Sequence, residues 1–496
     1  MNLRKIGFDN EKYIKLQSES IYERVKKFNR LYIEFGGKLF DDYHASRVLP
    51  GFMPDTKIKM LLNIKDRAEM ILVINANDIE KHKMRSDIGI TYSQDLFRLI
   101  DAFKVAELAI GGVVITQYAK QSEATKLRKK LEKSGIKCAY HYKIENYPND
   151  IDRILSKDGF GKNEYLETNK EIVVVTAPGP GSGKMAVALS QIYHDNLHDI
   201  KSGYAKFETF PVWNLPLNHP VNLAYEAATA NLSDVNMIDP FHLQEYGKVA
   251  INYNRDVEAF PVLNNLLTKV IGECIYKSPT DMGVNMVGSC ISDDEACREA
   301  SNQEIIRRCY QAQVDYVHDK IDENVINKLE NILTKSNISK DDRKVAVVAN
   351  ELAKKTGEPV TAIELVDGTI VTGKTSKLMG ASSAVLLNAA KIAAGLPDIE
   401  LFSPKIIEPI QELKTQYLNG NNPRLHTDEV LIALAIGSQT SYSCQRAMMG
   451  LSNLKYAEVH STVILSEVDT NTFKKLGMNV TMNPIYQTKK LYHKGR

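Results

Sequence analysis

Over its first 200 residues the chain alternates short, largely apolar runs with longer stretches of helical periodicity. The apolar runs Leu31–Phe35, Met70–Ile74, Val113–Thr116, Cys138–Tyr142 and Ile172–Val175 have the length and β-branched or aromatic character of strands. Between them, Ser93 to Val105 and Ser122 to Lys133 carry apolar residues at helical spacing. Buried strands separated by helices predict a parallel, doubly wound α/β sheet. Ligands of such sheets bind beyond the carboxyl ends of the strands, so the polar loops after these runs are the places to look for chemistry.

The pattern changes after residue 200. Phe210-Pro-Val-Trp-Asn-Leu-Pro-Leu-Asn-His-Pro220 excludes a helix and reads as a linker or crossover. From Val221 to Lys335 the periodicity is mostly helical, with Ser292 as a predicted N-cap and Glu295 three residues on, for a helix running through Arg307 and Arg308. A third region follows. Ala362 to Val371 predicts two strands joined by Asp367-Gly368. Helices at Ser382–Ala394 and Thr427–Ile436 come next, then strands at Ala457–Leu465 and Asn479–Met482. The predicted domains are 1–205, 206–340 and 341–496.

Length and charge narrow the class. A chain of 496 residues is too long for one core. Its 63 basic and 61 acidic residues leave a net charge of +2, which gives no general field for nucleic acid. No run reaches the length of a membrane span and Met1–Asp9 lacks a signal-peptide core, so a cytoplasmic location is expected. The six cysteines are irregularly spaced and form no C-x-x-C pair, which argues against disulfides and a zinc knuckle.

The richest chemistry lies at Glu171-Ile-Val-Val-Val-Thr-Ala-Pro-Gly-Pro-Gly-Ser-Gly-Lys184. An apolar strand stops at a glycine-rich turn, and a helical pattern follows directly. Gly179, Gly181, Ser182, Gly183 and Lys184 are the predicted phosphate-binding residues. Glycines let backbone N–H groups curl around an anion, the helix N-terminus adds partial positive charge, and Lys184 adds a full one. The core resembles the loop of adenylate-kinase-like nucleotide kinases. Two positions depart from G-x-x-x-x-G-K-[ST]: Pro178 stands at the first glycine, and Met185 replaces the hydroxyl that normally holds Mg²⁺. The strict pattern matches instead at Gly368-Thr-Ile-Val-Thr-Gly-Lys-Thr375, inside the predicted hairpin, where a strand cannot also wrap a phosphate. Lys374, Thr375 and Ser376 form an alternative anion site in another geometry.

Other candidates are less specific. Lys38, Asp41, Asp42, His44 and Arg47 follow the first strand and form a candidate substrate loop. Lys83 and Arg85 follow the second, and Asp78 is the nearest approach to a strand-end carboxylate there. His194 and His198 share a helix face, but Asp195 stands where a zinc protease has glutamate, and no metal site is assigned. Cys290 precedes a predicted helix start, a position that lowers a thiol pKa.

Four segments, Ile33–Gly51, Ala177–Lys184, Gly373–Ser383 and His460–Leu465, together resemble a bacterial family of uncharacterised proteins catalogued as domain of unknown function eighteen forty-six. The resemblance spans nearly the whole chain. It implies a three-part α/β architecture whose C-terminal part is similar to a deaminase-type layered fold. The deaminase zinc motif P-C-x-x-C is absent here, so that chemistry does not follow. The expected function is binding of a nucleotide or other small phosphorylated ligand, with ATP-dependent phosphoryl transfer using Mg²⁺ as the enzymatic form. Two alternatives stay open: a non-catalytic, homo-oligomeric binding or regulatory protein, and an anion-binding enzyme with its site in the C-terminal domain. No nucleic-acid or membrane partner is expected.

Overall fold

In the computed structural model, which describes residues 5–36, 39–85, 89–232 and 234–487, the apolar runs assemble one seven-stranded sheet. Its members are β1 (Arg30–Phe35), β2 (Ala68–Asn75), β5 (Ala109–Tyr118), β6 (Cys138–Tyr142), β7 (Ile172–Thr176), β8 (Ser202–Phe207) and β11 (Gly283–Val284). The order is β11-β8-β1-β7-β2-β5-β6, and every neighbouring pair is parallel. All their carboxyl ends therefore share one edge. Two small antiparallel ribbons, β3 (Met84–Arg85) with β4 (Ile90–Thr91) and β9 (Asn236–Ile238) with β10 (Ile251–Tyr253), lie outside it.

The central strands are buried on both faces, as a parallel sheet requires: all eight residues of β2 and all five of β7 are buried. On one face, Tyr32, Val173, Val175 and Tyr204 pack with Val187, Ala188 and Ile192 of the helix Lys184–Leu197 and with Phe260, Leu263 and Leu267 of the helix Asn254–Ile271. The segment predicted as a linker or crossover lies in the connection from β8 to its parallel neighbour β11 and is packed: Phe210, Val212 and His219 are buried, and the Asn222 side chain bonds both the N–H and the carbonyl of Val212. The helix predicted to start after Ser292 begins at Asp294, and the Asp293 carboxylate, not Ser292, accepts the Ala296 N–H at 3.0 Å.

This sheet belongs to a compact unit of residues 6–226 and 234–298. A second unit is built from Glu299 onward, with the segment beginning at Ala227. Its sheet comprises β12 (Val360–Glu364), β13 (Ile370–Lys374), β14 (Glu458–Ser461) and β15 (Asn479–Met482), in the order β13-β12-β14-β15. β12 pairs antiparallel with β13 and β14, whereas β14 and β15 are parallel. Residues 370–374 are thus strand, and Gly368 takes the left-handed turn position with φ +85°. The helix Ala381–Ala393 crosses β13 closely enough that a Cβ on Gly373 would stand 2.3 Å from the Val385 nitrogen. Among the described residues, no helix is long and apolar enough to cross a membrane.

Candidate functional site

The glycine-rich turn joins β7, in the middle of the parallel sheet, to the helix Lys184–Leu197. Gly181 and Gly183 adopt φ +73° and +90°, values that side chains disfavour. Gly179 is needed for a different reason: a Cβ there would come 2.4 Å from the Tyr92 ring. Neighbouring strand ends hold the turn by its carbonyls. Thr116 Oγ1 donates to the Ser182 carbonyl at 2.6 Å, and Asn75 Nδ2 to the Gly181 carbonyl at 3.4 Å. The carbonyls are spent inward, and among the described residues the N–H groups of Gly181, Ser182 and Gly183 donate to no backbone carbonyl or side chain. Gly183 also gives the helix no side-chain cap, so its first-turn N–H groups lack one as well. Ser182 is buried, and its hydroxyl has no hydrogen-bond partner among the described residues.

The helix is fixed to the sheet at both ends by polar side chains of β1 and β8. Alternation sends Arg30, Tyr32 and Glu34 of β1, and Ser202, Tyr204 and Lys206 of β8, to the helix-covered face. At the far end Asp195 is buried, pairs with Arg30 at 2.7 Å, and accepts from the hydroxyls of Tyr32, Tyr165 and Ser202. At the turn end Lys184 Nζ lies 3.9 Å from Glu34 Oε1, and the Tyr204 hydroxyl donates to Glu34 Oε2 at 2.8 Å.

Beyond Glu34, on β8, lies a second charged group. Lys206 is opposite Glu34 in register and bonds both Asp256 and Glu208, the latter at 3.1 Å. Burial pushes the Glu208 carboxyl up to about 7; Lys206 opposes the shift and Asp256 adds to it. Burial works against the Lys206 ammonium, but Asp256, Glu208 and Glu34 outweigh it and raise its pKa above the ordinary lysine value. Cationic donors and a carboxylate that exchanges its proton near neutrality thus share one strand edge, a combination typical of functional sites. None of Glu34, Lys206, Glu208 and Asp256 stood out in the sequence. Glu34 is a single charge within an apolar run, and only the β1–β8 pairing brings it beside Lys206.

The candidate loop after β1 lies on the same edge. Asp42 caps the helix Tyr43–Val48 and pairs with buried Lys57 at 2.8 Å, while Lys57 also donates to the Gly36 carbonyl. Burial alone would raise the Asp42 carboxyl, but Lys57 holds it below its ordinary value. His44 packs edge-on against Phe210 and Tyr225, and Asp41 and Arg47 are half-buried beside it. Lys38 lies outside the described residues. Asp78 is not a strand-end carboxylate: β2 ends at Asn75, and Asp78 sits in the following helix, 3.3 Å from Lys83. Arg85 pairs with buried Asp95 at 2.8 Å.

His194 and His198 do not converge on a shared ligand, since each ring bonds a backbone carbonyl, of Phe160 and His194 respectively. Cys290 is buried, and burial pushes its thiol up to about 11, away from a reactive thiolate. In the second unit Lys374 is exposed and Thr375 buried, and the Ser376 hydroxyl accepts from the N–H groups of Leu378 and Met379 within its own turn.

Comparison with known proteins places the chain in a family. The family model described as "Domain of unknown function DUF1846, N-terminal" matches residues 6–337, and its C-terminal counterpart matches 341–492. A protein of Streptococcus pyogenes serotype M5 named UPF0371 is 54% identical over 494 residues, covering 99% of this chain and 100% of the relative. A UPF0371 protein of Streptococcus thermophilus is equally similar, at 54% identity with the same coverage. Matched in both parts by the family models and along nearly its whole length by these relatives, the chain belongs to the DUF1846 family, whose curated members carry the name UPF0371 protein.

Proposed function

We propose that the chain binds the phosphate group of a nucleotide or another small phosphorylated metabolite at residues 179–184, and that the neighbouring strand edge serves transfer of that group. One observation carries the reading. The turn gives its Gly181 and Ser182 carbonyls to side chains of the sheet and leaves the N–H groups of Gly181, Ser182 and Gly183 unengaged at a helix N-terminus, with Lys184 alongside. Such a constellation matches a dianionic phosphate in both hydrogen-bond direction and charge. In this reading it is a phosphate-loop-like turn that has lost the magnesium-binding hydroxyl to Met185. Transfer chemistry is supported by Glu208, whose raised pKa suits proton exchange near neutral pH. We also read the second unit as a deaminase-type layered domain, supported by its mixed sheet with parallel β14 and β15; it carries no zinc motif.

Calorimetric titration of wild type and Lys184→Ala with ATP and with phosphorylated sugars tests the assignment. A charge-assisted hydrogen bond contributes about 1.5–3 kcal/mol, so the variant is expected to bind roughly ten- to a hundredfold more weakly. Equal affinity of the two proteins for every phosphate compound would remove Lys184 from the site.

A further inference from the structure

Lys184 and Glu34 raise a question of charge. Their side chains are 16% and 13% exposed, and they stand 3.9 Å apart, an ion pair longer than a hydrogen bond. A phosphate seated on the turn engages the same ammonium, which brings its oxygens beside the Glu34 carboxylate. Two anions in a partly desolvated site repel strongly. Lys206, opposite Glu34 in register, shares its single charge with Asp256 and Glu208, both of which it contacts directly.

We propose that Glu34 is the protein ligand of a divalent cation, Mg²⁺ by its preference for oxygen, that arrives with the phosphate and bridges the two anions. The proposal rests on the phosphate reading of the turn. Mg²⁺ typically binds one or two carboxylates and takes its remaining ligands from phosphate oxygens and water. Among the described residues no three His, Cys, Asp or Glu side chains converge to hold a metal by themselves, so a cation here needs the phosphate to complete its shell. Glu34 has the required position. It lies one residue from the end of β1, in register with Val175 of β7, the strand that leads into the turn. Its orientation is set from behind, since the Tyr204 hydroxyl occupies Oε2 and leaves Oε1 toward Lys184. The carboxylate thereby takes over the role that the hydroxyl missing at Met185 fills in other phosphate loops.

The test is calorimetric titration with pyrophosphate, with chelator and with Mg²⁺, at constant ionic strength. Wild type is expected to bind at least about tenfold more tightly with Mg²⁺, which corresponds to about 1.4 kcal/mol. Glu34→Gln should bind metal-free pyrophosphate more tightly than wild type and gain nothing from Mg²⁺. Glu34→Asp keeps the charge and should retain part of the gain. Mn²⁺ in place of Mg²⁺, added with pyrophosphate, should broaden the NMR resonances of residues around Glu34 in wild type, a readout that needs no variant to fold. A wild-type affinity indifferent to Mg²⁺, an undiminished gain in Glu34→Gln, or no broadening near Glu34 would overturn the cation site and leave the phosphate site standing. Absence of pyrophosphate binding in every condition, or unchanged binding in Lys184→Ala, would overturn the phosphate reading and this proposal together.

Discussion

Burial raises the pKa of the Glu208 carboxyl beside Lys206, and the consequence can be followed with pH. In the unfolded chain a glutamate titrates near 4.3, whereas Glu208 in the folded protein titrates at about 7. The folded state therefore holds this proton more tightly. The stability it contributes is fully present below the unfolded value and is lost as pH rises toward 7. Glu208→Gln remains neutral throughout. Between about pH 4.3 and 7 the urea midpoint of wild type is expected to fall relative to that of the variant, and to run parallel to it above that range. A constant difference across that range would mean that Glu208 is ionised all along. At this scale the sequence was partly legible. The turn could be read because strand, glycines, lysine and helix are consecutive. Glu34, Lys206, Glu208 and Asp256 could not, because three separated segments supply them, and each looks like an ordinary surface charge until the strands pair.

Among the elements, the helix Lys184–Leu197 links site and scaffold. Asp195, near its carboxyl end, meets Arg30, Tyr32, Tyr165 and Ser202, two of them on β1 and one on β8. Asp195→Ala leaves the Arg30 guanidinium, itself mostly buried, without its counter-charge. A cost of about 3–5 kcal/mol is expected, measurable by urea denaturation; a loss under about 1 kcal/mol would show that the network is dispensable. The spacing of His194 and His198 drew attention to this helix face, yet the residue between them is the one that ties the helix down. Strands followed a similar logic. β1, β2, β5, β6 and β7 were legible as apolar runs. β8 was not, because Ser202, Tyr204 and Lys206 interrupt its hydrophobicity, and those polar side chains bond the helix and its neighbours. β11 is two residues long, too short for any periodicity.

Across the whole molecule, the two units have separate polar anchors. In the second, Arg343 is fully buried and donates to Glu458, Thr481 and the carbonyls of Val459 and Asn479, which ties the helix Lys344–Thr356 to β14 and β15. Arg343→Ala is expected to destabilise that unit by about 3–5 kcal/mol, seen as a lowered melting transition. Phosphate-compound affinity at low temperature should not change; an affinity that falls with it would tie the site to the second unit. The order of the large sheet has a consequence for how the chain reaches this state. β1 and β2 are made first, yet β7 lies between them, and β8 with β11 completes the other flank. A nascent chain must keep its two earliest strands apart until residues 172–176 slot into the gap, and such non-local parallel pairings form slowly. The glycine-rich turn leaves the end of that inserted strand, so the phosphate site proposed for it can form only when the centre of the sheet closes, and the onset of phosphate binding during refolding would mark that event.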